Sequence, residues 1–225
     1  NAMAYKFVTT GGQQVSPSGN AQITFTNLGV NTYQVSVVAI GTGGVTTSIT
    51  VEVEVLVTYA PPADLLEKLV GDGTKTWRIK SEKNKHFGLG APSGNIPFDY
   101  YGAGPEEKAG SGMYDDRYVF DADGTFTHIT NNTNDNPTTN TDGTIFGRDP
   151  LILQLGGIGG GEPQGADILN YPLSDYTANW GLIAPGGVET ITLTGTGFIG
   201  YYTGGNHQYR IFDRSVSNEM VITTN

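Results

Sequence analysis

The sequence predicts an all-β chain: a small β-sandwich followed by a larger, jelly-roll-like β-sandwich, with one short helix between them. Three observations carry that expectation. The composition has 33 Gly and 11 Pro with many Thr and Asn, but only 37% hydrophobic residues, which suits short strands joined by turns better than packed helices. Two-residue alternation is clear in TYQVSVVAI and in SITVEVEVLVTY. Beyond residue 75 about eight short, aromatic-rich runs separated by turn signals occupy roughly 150 residues, the texture of a sandwich or barrel.

In TYQVSVVAI, Tyr33, Val35, Val37 and Ala39 share one face and Gln34 and Ser36 the other. After the turn GTGG, the residues Ile49, Val51, Val53, Val55 and Val57 continue the inner face, with Glu52 and Glu54 solvated, so the two runs form a hairpin. AYKFV and AQITFT, separated by the turn-rich GGQQVSPSGN, are weaker strand candidates ahead of it. Residues 1–59 thus form a first domain close to the lower size limit for a lone sandwich.

Residues 60–74 read as a linker with a short helix that docks on the second domain. The Pro pair in YAPPADLLEKLVGDG ends the strand, Leu65, Leu66 and Leu69 fall on one helical face, and Gly71 stops the helix. Asp64 at its start and Lys68 later suit the helix dipole. The second domain, 75–225, is read as TWRIK, DRYVF and TFTHI joined by DADG, then LILQL, ETITLTG, FIGYY, YRIF and EMVIT. The long connections at 84–113, 130–147 and 156–181 are loops on this scaffold, where binding commonly resides.

Composition also excludes partners. A formal net charge of −10 repels polyanions, and no Lys/Arg cluster is present to replace their counterions, so nucleic acid and anionic membrane surfaces are set aside. The absence of cysteine removes disulfide, thiol and cysteine-zinc chemistry. No apolar run reaches the ~18 residues of a membrane span. Asn1-Ala2-Met3 reads as a vector remnant ahead of the native chain, so an export signal would lie upstream of residue 1.

Asp121 and Asp123 of DADG mimic the opening of a calcium loop, but Asn132 stands where the bidentate Glu belongs and strands flank the motif, so a hairpin turn is the stronger reading. Asp115 and Asp116 could pair with Arg117 or Lys108, hold a cation, or serve as an acid pair; in a strand they would point to opposite faces. Structural calcium at these four aspartates is the one cofactor their pattern suggests, and otherwise none is expected. A glycosidase needs two carboxyls ~5 Å or ~6.5 to 9.5 Å apart across the scissile bond. Asp99, Glu106, Glu107, Asp115, Asp116, Glu162, Asp167 and Asp175 show no recognisable strand-borne arrangement of that kind. His86, His128 and His207 are widely separated, and no H-E-x-x-H, G-x-S-x-G or P-loop motif occurs. The glycine run LGGIGGGEPQG reads as a flexible loop.

Aromatics remain. Phe98, Tyr100, Tyr101, Tyr171, Tyr176 and Trp180 fall in or beside the long loops, where a ring can stack on a pyranose while Asp99 or His86 takes its hydroxyls. Trp77, Phe120, Phe126, Phe198 and Phe212 lie in strand-like runs and read as core. If the IPFDYYGAGP loop is a platform, Tyr100 or Tyr101 is exposed near His86 or Asp99; if it is packing, both rings are buried.

Two resemblances add to this reading. Residues 20–58, with TYQVSVVAIGTGG, resemble the C-terminal half of a PKD-type, immunoglobulin-like domain, whose ending has the form TYxVxxxVxxxxG before a long last strand; its early strands and aspartate-rich loop have no counterpart here. LLEKLVGDGTKTWRIKSEKNKHFGLG, then YYGAGPEEKAGSGMYDDRYVFDADGTFTHI and FIGYYTGGNHQYRIF, resemble the module that follows PKD-like domains in surface glycan-binding proteins of Bacteroidetes polysaccharide-utilisation systems. Lys75-Thr76-Trp77, His86-Phe87-Gly88, Tyr114-Asp115-Asp116 and Asp123-Gly124 match that module in order, over most of residues 60–225. Leu89 replaces a usual valine, and Tyr100-Tyr101 stands where a tryptophan pair is usual.

The resemblance implies non-catalytic polysaccharide binding at the outer-membrane surface, with a PKD-like spacer, a lipid anchor upstream and a glycan-uptake complex as a partner. The binding residues are then Tyr100, Tyr101, Phe98, Asp99, His86, Tyr176 and Trp180. A glycoside hydrolase or lyase using loop carboxylates and a purely structural spacer are the alternatives.

Overall fold

The structure is a computed structural model that describes residues 2–9, 12–23, 25, 29–91, 97–130, 143–156, 159–204 and 207–224. It is all-β apart from one α-helix and short 3-10 turns, as the composition predicts. The chain divides into two compact units, Asn1–Ala60 with Ala184–Gly187, and Pro61–Ile183 with Val188–Asn225.

The first unit holds β1 (Ala2–Thr9), β2 (Gly12–Ser16), β3 (Gly29–Gly41) and β4 (Thr46–Val57) in one antiparallel sheet of order β2-β1-β3-β4. The predicted hairpin is β3–β4, and its register follows the hydrophobic alternation: Tyr33 faces Val53, Val35 faces Val51 and Val37 faces Ile49. On the opposite face the polar side chains pair across the strands, Gln34 to Glu52 at 2.6 Å and the hydroxyls of Ser36 and Thr50 at 2.7 Å. Phe25 stacks on Tyr33 with ring centroids 4.1 Å apart. Of the expected strand AQITFT, residues 21–23 and 25 carry no strand, and 24 and 26 lie outside the described residues.

The second unit opens with α1 (Ala63–Val70), followed by β5 (Thr74–Trp77), β6 (Gly88–Leu89), β7 (Tyr101–Gly102), β8 (Arg117–Asp121) and β9 (Thr125–Ile129). Then come β10 (Thr144–Arg148), β11 (Glu162–Gln164), β12 (Asp167–Pro172), β13 (Tyr176–Ile183), β14 (Thr190–Leu193), β15 (Tyr201–Tyr202), β16 (Gln208–Asp213) and β17 (Val221–Thr224). They form a seven-stranded sheet of order β17-β16-β14-β13-β9-β8-β5, a four-stranded sheet of order β11-β12-β10-β15, and the small ribbon β6-β7.

Helix α1 stops where Gly71, at φ 57, donates its N–H to Glu67 O. Its buried face, Leu65, Leu69 and Val70, packs into the core built on Tyr118, Phe120, Phe126, Ile191, Leu193, Tyr209 and Ile211. Burying each leucine is worth about 1.5–3 kcal/mol. Trp77 Nε1 donates to Leu69 O at 2.9 Å, tying helix to sheet. A second cluster of Ile145, Ile152, Ile168, Tyr171, Phe198 and Tyr202 underlies the four-stranded sheet.

Several segments differ from expectation. Of the connection 130–147, residues 131–142 lie outside the described residues, and from Thr144 onward the chain is strand β10, with Ile145 and Phe146 buried. LILQL is a 3-10 turn, Leu151–Leu155, with Ile152 buried and Gly156 left-handed after it; a five-residue apolar run gives no periodicity that separates strand from helix. FIGYY keeps only Tyr201–Tyr202 as strand. The described residues of the 156–181 stretch are mostly strand, not loop. The glycine run leads into β11, Gly161 is required because a Cβ there would sit 2.5 Å from Ile168 Cγ2, and Tyr171 is core on β12.

Candidate functional site

Among the described residues the most exposed large aromatic, Tyr100, lies beside the ribbon β6–β7, and two glycines make that ribbon possible. Gly88 and Gly102 pair directly. A Cβ on Gly88 would lie 2.5 Å from Tyr101 O and 2.7 Å from Phe98 Cβ, and one on Gly102 would lie 2.8 Å from Lys85 Cγ. All three contacts are closer than real Cβ atoms approach, so the glycine pair lets Phe98 and the Lys85 stem pack against the ribbon. The Lys85 ammonium then sits 4.9 Å from the Phe98 ring centroid. Lys85 itself adopts φ 63 and donates its N–H to Ala103 O, while Ala103 donates to Phe87 O and Tyr100 to Leu89 O, which lengthens the ladder on both sides.

The platform rings have different fates. Tyr100 is 68% exposed, immediately before β7, and Asp99 beside it is exposed as well. Leu89, across the ribbon, is 62% exposed. Tyr101 is partly buried: its hydroxyl donates to Glu107 Oε1 and Lys108 Nζ lies 5.3 Å from its ring centroid. Partial burial, and then the carboxylate at its hydroxyl, push the Tyr101 phenol up to about 12. Glu107 is in turn held below its usual range by the Tyr101 hydroxyl and by the Gly104 N–H at 2.7 Å. The expected exposed ring is therefore Tyr100, and Asp99 is its polar neighbour in sequence.

His86 is engaged within the fold. Its Nδ1 lies 2.7 Å from Lys83 O, and its Nε2 meets the Tyr114 hydroxyl, which already accepts the Lys108 N–H at 2.8 Å. These partners fix a tautomer with the proton on Nδ1 and Tyr114 donating to Nε2. Tyr114 is buried among Met113 and Phe146, with Ile79, Phe87, Leu169 and Tyr201 around them, so the ribbon is anchored through His86 and Phe87 to the four-stranded sheet.

Tyr176 and Trp180, expected in a loop, lie on β13, facing β9 and β14. Trp180 Nε1 donates to Asp121 O at 2.8 Å and its ring meets Phe120 edge-on. Tyr176 donates to Thr196 O at 3.0 Å and lies 3.1 Å from His128 Nδ1. Alternation carried this signal: in YTANWGLI, Thr177 and Asn179 are exposed while Tyr176, Ala178 and Trp180 are half-buried.

Asp115 and Asp116 are 3% and 0% exposed. They precede β8 rather than alternating within it, which is how both face inward. Asp116 Oδ2 lies 2.9 Å from His128 Nε2 and 3.2 Å from the Tyr118 hydroxyl. Burial pushes Asp116 up to about 6, against the opposing pull of His128. The group around it holds backbone: Tyr118 accepts the Gly200 N–H, Tyr209 accepts the Ile199 N–H, Tyr176 donates to Thr196 O, and His207 Nδ1 meets Gly197 O. Sealed from solvent, the pair positions the 196–200 turn. Sequence spacing did not suggest this pairing, although His128 alternates with Phe126 on the inward face of TFTHI.

DADG is a hairpin turn. Gly124, at φ 91, donates to Asp121 O, Asp123 Oδ1 accepts the Thr125 N–H at 2.9 Å, and Asp121 accepts the Thr74 hydroxyl. The Thr125 N–H lowers the Asp123 carboxyl below its usual value. Among the described residues no group of three or more His, Cys, Asp or Glu is arranged to hold a metal ion. Among the described residues no helix is long and apolar enough to cross a membrane.

Comparisons with protein-family models, with curated proteins and with solved structures return no match to this chain.

Proposed function

We propose that the second unit binds a neutral or weakly charged polysaccharide without cleaving it, at the β6–β7 ribbon. The observation that carries this reading is Tyr100: a ring 68% exposed on a backbone pinned by paired glycines, next to an exposed carboxylate. A fixed ring accepts the C–H face of a pyranose at low ordering cost, and Asp99 takes hydroxyls at its edge. Phe98 and Tyr101 support the ribbon, while Tyr176 and Trp180 belong to the sheet beneath. Asp115 and Asp116 are closed off from solvent, which favours binding over acid–base cleavage. The first unit serves as a spacer. The resemblance supports a role at the outer-membrane surface, with a lipid anchor on an upstream segment and a glycan-uptake complex as partner.

Affinity electrophoresis against glucans, xylans, mannans and host glycans tests the reading, with reducing-end release assayed on the same panel. Retardation by at least one polymer without release is expected. Release would replace the reading with a hydrolase or lyase, and neither effect would leave the structural spacer.

A further inference from the structure

We propose that β4 is an association edge at which two copies of this chain pair antiparallel, centred on Thr50. The strand closes the sheet on one side, and among the described residues no other strand bonds to its outer edge. It is 12 residues long, pairs with β3 through an unbroken register, and contains no Pro and no Lys. Bulges, prolines and lysines are the usual means by which edge strands avoid pairing; the β1–β3, β10–β12 and β16–β17 ladders all have register shifts. Thr46–Glu52 are exposed throughout, with Ile49 and Val51 at 64% and 47%.

The occupant is argued from charge. Glu52 and Glu54 are the only charged residues of β4, both in its second half. A like strand centred on Glu52 or Val53 would set carboxylates directly opposite each other, and one centred on Val51 would bring the two Glu52 side chains diagonal. Centring on Thr50 sets Glu52 against Ser48, Glu54 against Thr46, and Ile49 against Val51 of the other copy. Every residue from Thr46 to Glu54 is then paired with no carboxylate beside another. Side chains keep their faces, so the uncharged face of Tyr33, Val35, Val37, Ile49, Val51 and Val53 becomes continuous across both copies. In this register a chain of net charge −10 meets a second copy along β4 with no like charges directly opposed.

The register makes the test specific. Sedimentation equilibrium of the whole chain is expected to show a concentration-dependent dimer. Ser48→Lys, opposite Glu52 twice by symmetry, is expected to tighten it by roughly two- to thirty-fold, and Ser48→Glu to weaken it by a similar factor. Because the chain has no cysteine, Thr50→Cys is expected to give a disulfide-linked dimer on mild oxidation, whereas Val15→Cys, an exposed residue on the far strand, is not. Circular dichroism confirms that each variant folds. A monomer at all concentrations up to several hundred micromolar, or a dimer indifferent to the charge at position 48, overturns the proposal. Capture of a strand from another protein at this edge, with no self-association, overturns it as well.

Discussion

Replacing Tyr100 with Ala separates a binding platform from packing. The ring is 68% exposed, so about a third of its surface is covered in the free protein. A tyrosine side chain carries on the order of 200 Å², which makes the covered part roughly 65 Å² and its loss worth about 1.5 kcal/mol at 25 cal/mol per Å². For a domain of this size that lowers Tm by no more than about 6 °C. In the complex the same truncation removes a central aromatic contact worth roughly 1–3 kcal/mol, a five- to 150-fold loss of affinity. Isothermal titration calorimetry with the polymer found by electrophoresis, beside thermal unfolding of the same samples, measures both. Tyr101→Ala is the comparison, because it removes the acceptor's partner at Glu107 and the ring under Lys108. Unchanged affinity in Tyr100→Ala, or unfolding before any loss of ligand, refutes the reasoning.

Gly88→Ala places a methyl against Tyr101 O and Phe98 Cβ, so the ribbon must shift: urea unfolding should show a loss of about 1–3 kcal/mol, and binding by the still-folded variant should fall roughly ten-fold or more; intact binding would mean that the ribbon is not the site. Asp116→Ala leaves His128 and the Tyr118 hydroxyl without their buried acceptor and should destabilise by about 3–5 kcal/mol in urea unfolding. In pH-dependent unfolding, the Asp116 carboxyl has a folded value of about 6 against the ordinary 3.8. The folded state therefore binds the proton more tightly, and this group's contribution to stability falls as pH rises from about 3.8 to about 6. Asp116→Asn should flatten the stability profile across that window, and an unaltered profile would contradict the burial argument. Leu69→Ala, at a fully buried helix position, should cost about 2–5 kcal/mol by the same unfolding measurement.

Local chemistry was enough for several elements. Pro and Gly bracket ADLLEKLV, so α1 could be bounded from sequence alone. The valine alternation set the β3–β4 register, and DADG gave the β8–β9 turn. These are short-range effects: a period, a cap, a residue that tolerates positive φ. The exposed Tyr100 was legible only as one of two alternatives, because exposure depends on what else reaches the ribbon. Gly88 and Gly102 carried no sign of their pairing, since the clash that demands them comes from Lys85 and Phe98 in three dimensions. The burial of Tyr171, and of Asp116 with His128, was likewise decided by tertiary contacts. From sequence, a carboxylate in YDD has Arg117 or Lys108 as its nearest candidate partners; only the strand carrying His128, laid beside it, supplies the partner that Asp116 takes. Sequence thus determined where the chain turns and which faces are apolar. Tertiary structure decided which polar groups the folded chain could enclose, because their partners lie on neighbouring strands and within turns from remote parts of the chain.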